Sequence, residues 1–89
     1  MKVHGDSMDK EFSDGADVLV DRGADVRSGD IAVVMVNGFD ATVKKVRFED
    51  DHIILIPMSN NDQHYAQKYD LAQDEVTIVG KVIGAFKSY

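Results

Sequence analysis

The chain has 89 residues, enough for one domain and no more. Hydrophobic residues make up 44% of it and there is no cysteine, so a packed core is expected without disulfides or thiolate metal sites. Ten Lys and Arg against sixteen Asp and Glu leave a formal net charge of −6, which disfavours direct contact with a phosphate backbone. No apolar run approaches the length of a membrane span, and no signal-peptide core follows Met1, so the expected location is cytoplasmic.

The elements read as short strands set apart by Gly, Asp and Asn. Residues 8–12 read as one helical turn. Asp17–Asp21 is a short β-branched strand stopped by Arg22 and Gly23. Ile31–Val36 is a second strand, introduced by Ser28, Gly29 and Asp30. Asn37 and Gly38 tolerate positive φ and predict a hairpin turn. Residues 40–48 form the return strand, and Glu49, Asp50 and Asp51 the next turn. Residues 52–57 are a further strand. The polar, aperiodic stretch 59–70 reads as a long connecting loop. The last strand covers residues 76–86, with Gly80 and Gly84 marking a bulge or a close backbone approach. No stretch sustains a 3.6-residue period, so the fold expected for residues 1–89 is one mostly β domain of short antiparallel strands.

Alternation along the 40–48 strand puts Thr42, Lys44, Val46 and Phe48 on one face, and Ala41, Val43, Lys45 and Arg47 on the other. Lys44 therefore shares its face with two large apolar side chains. If that face is the core face, the Lys44 ammonium loses hydration and its pKa falls, which makes a neutral amine available as a general base. The alternative is a stem that lies along the sheet with its charge kept in water. Ser7 follows Gly5 and Asp6 at the start of the possible helical turn. Its hydroxyl is a candidate nucleophile beside backbone N–H groups, or simply a helix cap.

Taken together, these segments resemble the LexA-like self-cleaving peptidases. The run Val3-His4-Gly5-Asp6-Ser7-Met8 resembles their nucleophile motif. Phe12-Ser13-Asp14-Gly15, then Val18-Leu19-Val20-Asp21, follow it as they do in the family. Thr42-Val43-Lys44-Lys45-Val46 resembles the lysine motif, while Ile54-Leu55-Ile56-Pro57 and Val79-Gly80-Lys81-Val82-Ile83-Gly84 are similar to the closing strands. The family contains LexA, many phage repressors and UmuD-type mutagenesis proteins, and is related to the type I signal peptidases.

The resemblance implies a small β fold with a Ser–Lys dyad, Ser7 as nucleophile and Lys44 as general base. The backbone N–H groups of Asp6 and Ser7 would form the oxyanion hole. It implies the regulatory domain of a transcriptional repressor, self-cleaved during the DNA-damage response. A homodimer is implied through residues 79–86, which begin at Val79 and end at Phe86. A recombinase filament or an antirepressor is the implied activator. No cofactor or metal is implied.

Two departures qualify the match. Six residues precede Ser7, so the helix-turn-helix domain and the scissile Ala-Gly or Cys-Gly bond of family members are not in this sequence. The expectation is a truncated domain that reaches DNA only through an absent N-terminal domain and lacks its own cis substrate. Ala16 stands where the family often has Asp, a change expected to be structural. Two other readings remain: a dimerisation module whose dyad is unused, and a trans-acting, signal-peptidase-like protease.

The remaining polar residues carry weaker signals. His4, His52 and His64 lack metal-like spacing, and a Ser7–His4 pair fits less well than the lysine motif. Asp14, Asp50 and Asp51 read as solvated turn acids. Tyr65, Tyr69 and Tyr89 are candidates for an interface but read first as aromatics that pack on or cover a core, and the loop around Asn60 and Asn61 reads as connection.

Overall fold

The structure, a computed structural model, describes Met8, Lys10, residues 15–59, Asn61 and residues 63–86. Among the described residues six strands form one antiparallel sheet: β1 (Asp17–Asp21), β2 (Ile31–Val36), β3 (Thr42–Glu49), β4 (His52–Ile56), β5 (Gln67–Asp70) and β6 (Val76–Phe86). Their order across the sheet is β1-β6-β2-β3-β4-β5. The mostly β fold of short antiparallel strands expected from the sequence is thus the observed one. The helical turn expected over 8–12 lies mostly outside the described residues; Met8 and Lys10 are both in turns.

Local chemistry explains the turns. Asn37 and Gly38 adopt φ of 50° and 78°, as the hairpin signal requires, and Asp50 turns β3 into β4 at φ 47°. β3 begins at Thr42, two residues later than expected, because Phe39 and Asp40 remain in the connection, where the Phe39 N–H donates to the Val36 carbonyl at 3.0 Å.

One correction is larger. The stretch read as a loop over 59–70 ends in a strand, β5, which pairs with β4 from His52↔Asp70 to Leu55↔Gln67. Gln, Lys and Asp are poor strand formers, and only Tyr69 in Gln67–Asp70 favours a strand on its own. The free edge of the apolar β4 supplies the pairing that local propensity does not.

β6 divides its pairing. Its first half pairs with β2, from Val36↔Val76 to Ala32↔Lys81, and its second half with β1, from Asp21↔Lys81 to Asp17↔Phe86. Each ladder contains a register shift, between Val33 and Val34 on β2 and between Leu19 and Val20 on β1. Gly80 lies where β6 passes from one partner to the other, and a Cβ there would meet Val20 Cγ1 at 2.6 Å and the Asp21 carbonyl oxygen at 2.8 Å. The glycine anticipated as a close approach is therefore one.

Both faces of the sheet are packed. Met8, Val18, Val33 and Val43 form one cluster, with Val20, Met58, Val79 and Val82 against it. Ala32, Val34, Val46, Ile53 and Leu55 form the other, joined by Phe48, Tyr69 and Ile78. The Phe48 face of β3 is a core face, the condition on which a desolvated Lys44 depended, and the face carrying Val43 is buried too. Ala16 is also buried, in keeping with a structural role.

Candidate functional site

Lys44 is set by register. It pairs with Ala32 on β2, and its neighbour Lys45 pairs with Ile56 on β4, so it sits inside the sheet rather than on an edge. Alternation puts its side chain on the face of Val46, whose backbone is fixed by two further bonds. The Val46 N–H donates to the Asp30 carbonyl at 2.9 Å, and the Val46 carbonyl accepts from the Gly29 N–H at 2.8 Å. The Lys44 side chain is half-buried, and its Nζ donates to the Val43 carbonyl oxygen at 3.3 Å. Desolvation of the ammonium pushes its pKa below the ordinary lysine value. Of the two sequence readings of Lys44, a desolvated amine or a stem that keeps its charge in water, the half-buried position favours the first.

Lys44 lines a cavity of about 470 Å³. Leu55, Pro57 and Tyr69 give it apolar lining beside Lys44. The connection after β2 contributes Phe39 and Asp40, and the stretch before β5 contributes His64 and Tyr65. The sequence reading missed this second group. The segment treated as plain connection supplies lining at the candidate base, and Tyr65 is largely exposed there rather than packed on a core. No pattern within 59–70 signals this, because it follows from the β4–β5 pairing alone.

Ser7, Asp6 and His4 lie outside the described residues, as do Asp14, Asn60 and Tyr89. Met8, the residue after Ser7, is described and is 1% exposed. It belongs to the same core cluster as Val43, the residue before Lys44. Its Sδ accepts from the Met58 N–H at 3.4 Å, and the Lys10 N–H donates to the Met58 carbonyl at 2.8 Å. The segment that follows Ser7 is thereby tied to the strand-β4 exit, next to β3.

Elsewhere, His52 Nδ1 lies 2.9 Å from Asp51 Oδ1, a local surface pair away from the cavity lining. Among the described residues, no group of three or more His, Asp or Glu side chains converges as a metal site would require. No helix among them is long and apolar enough to cross a membrane.

Comparison with known proteins completes the picture. The sequence model of the peptidase S24-like family matches residues 1–83. The LexA repressor of Streptomyces avermitilis is 38% identical over 88 residues, covering 98% of this chain and 35% of the relative. That of Lactobacillus acidophilus is 36% identical over 89 residues, covering 99% of this chain and 40% of the relative. That of Pseudothermotoga lettingae is 33% identical over 90 residues, covering 100% of this chain and 43% of the relative. The chain thus spans less than half the length of these relatives. With a family match over residues 1–83 and these relatives along almost its whole length, the chain belongs to the peptidase S24-like family, with LexA repressors among its relatives.

Proposed function

We propose that this chain is the regulatory domain of a LexA-type transcriptional repressor and that Ser7 and Lys44 form the dyad that cuts the repressor. The observation that carries the proposal is the half-buried Lys44 amine, depressed in pKa by desolvation and opening into a cavity. The bonds of Met8 and Lys10 to Met58, the neighbour of the cavity-lining Pro57, support a position of Ser7 near the site.

In this reading neutral Lys44 accepts the Ser7 hydroxyl proton as Oγ attacks a peptide carbonyl carbon. The tetrahedral oxyanion is held by the N–H groups of Asp6 and Ser7. Collapse breaks the C–N bond, and the protonated Lys44 gives its proton to the leaving amine. Water then attacks the Ser7 ester through the same base and releases the carboxylate. The neutral amine is the reactive form, so the rate rises with pH until Lys44 is deprotonated.

Self-association forms the second part of the proposal. Beyond the Ala32↔Lys81 pair, β6 is paired to β1 on one side only among the described residues. Leu19, Ile83 and Phe86 on this part of the sheet are 50%, 61% and 54% exposed. An open strand edge beside exposed apolar side chains suits a second copy, and a two-fold pair would let two DNA-binding domains grip a symmetric operator in the cytoplasm.

The test is an NMR titration of the Lys44 side chain in the wild type and in Ser7→Ala, together with cleavage of the full-length repressor as pH is raised. The expected result is a Lys44 pKa well below the ordinary value of about 10.4, with cleavage rising through that pKa and absent in Ser7→Ala and Lys44→Ala. An ordinary Lys44 pKa, or inactivation that proceeds in Ser7→Ala, would overturn the dyad.

A further inference from the structure

Two large aromatic side chains stand mostly in solvent beside the Lys44 cavity, Phe39 at 75% and Tyr65 at 71% exposure. They come from different parts of the chain. Phe39 lies on the β2–β3 connection and Tyr65 just before β5, with β4 between β3 and β5 in the sheet. β3 and β5 are two strand spacings apart, about 10 Å.

Phe39 is exposed without being loosely held. Asn37, two residues before it, is locked to the β5–β6 connection. Its N–H donates to the Glu75 carbonyl at 2.7 Å, its Nδ2 donates to Asp74 Oδ1 at 3.2 Å, and its Oδ1 accepts from the Glu75 N–H at 2.8 Å. Asp74 is held in turn, since its Oδ2 accepts from the Asp70 N–H at 3.2 Å and its N–H donates to the Asp70 carbonyl at 2.7 Å. The connection that carries Phe39 is therefore tied down, and its apolar ring stands in water at the rim of the site, which gains nothing for this domain alone.

We propose that Phe39 and Tyr65 set the specificity of this site by taking two separate apolar side chains of an extended peptide whose scissile bond lies over Lys44. This rests on the peptide-bond chemistry proposed above. Same-face side chains of an extended chain recur about every 6.6–7 Å, so rings on β3 and β5 sides of the cavity meet different residues of the peptide. The volume of about 470 Å³ lies within the range of about 300–1,000 Å³ usual for ligand sites. The occupant is a segment of the longer polypeptide, since LexA relatives carry more than half their length outside the stretch matched here. The domain would then select a cleaved segment with bulky aliphatic or aromatic residues near the bond.

Binding and cleavage separate this proposal from the dyad on which it rests. Two short synthetic peptides with a central Ala-Gly bond serve as probes, one with Val and Leu flanking it and the other with Ser at those places. Affinities are measured by NMR titration of Ser7→Ala, which binds without cutting, and of the same protein with Phe39→Ala or Tyr65→Ala added. The apolar peptide is expected to bind about tenfold more tightly than the Ser peptide, and each ring removal to reduce that ratio about threefold or more. No discrimination between the peptides, or a ratio untouched by both ring removals, would overturn the proposal. So would a Phe39→Ala protein altered in self-association but not in peptide preference, which would make a second copy the occupant. Selective binding with no cleavage by the wild type would sink the dyad and leave the specificity assignment standing. Cleavage without discrimination would do the reverse.

Discussion

Gly80→Ala tests whether the end of β1 packs on β6 as tightly as the structure states. The added Cβ would lie 2.6 Å from Val20 Cγ1, 2.8 Å from the Asp21 carbonyl oxygen and 3.1 Å from the Arg22 Cα. A rotamer change at Val20 could relieve the first contact. The other two are backbone atoms, and moving them displaces the end of β1, whose Asp21 pairs with Lys81. Overpacking of this kind typically costs about 1–3 kcal/mol, and two backbone contacts place Gly80→Ala at or above the upper end. Gly84→Ala is the internal control, since its Cβ would meet only Leu19 Cδ1, at 3.4 Å, on a half-exposed and flexible side chain. It should cost less than about 1 kcal/mol. Urea unfolding of the three proteins, with equal slopes, reads the difference directly. Equal midpoints for Gly80→Ala and Gly84→Ala would refute the reasoning and mean that residues 20–22 do not crowd Gly80 as described.

Two further outcomes follow. Asn37→Ala loses the side-chain bonds to Asp74 and Glu75 and puts alanine at φ 50°, so it should destabilise by about 2 kcal/mol in urea unfolding. Asn37→Gly restores the backbone freedom and should recover about half of that; equal losses would show that the side-chain bonds alone matter. Ile83→Asp places a charge on an exposed residue at a register irregularity and should convert a dimer to a monomer in sedimentation without lowering the unfolding midpoint of the domain by more than about 0.5 kcal/mol equivalent; an undisturbed dimer would count against the β6 interface.

By itself, the sequence determined the parts of this protein that depend on near neighbours along the chain. β-branched runs marked β1, β2, β4 and β6 almost to the residue, because each is apolar enough to pack wherever it pairs. Asn37 and Gly38 announced their turn through positive φ, and alternation alone put Lys44 on the face of Val46 and Phe48. The ordered resemblance also pointed to the family that the comparisons establish. Tertiary structure decided what depends on distant pairing. β6 lies between β1 and β2, and β5 exists because β4 offers it an edge. Phe39 and Tyr65, 26 residues apart in sequence, meet at one cavity with Lys44 because strand order, which no local pattern encodes, brings their strand ends together. Propensity and alternation act over a few residues, while sheet order is settled by burial summed over the whole chain, and the surroundings of the candidate base belong to that second kind of information.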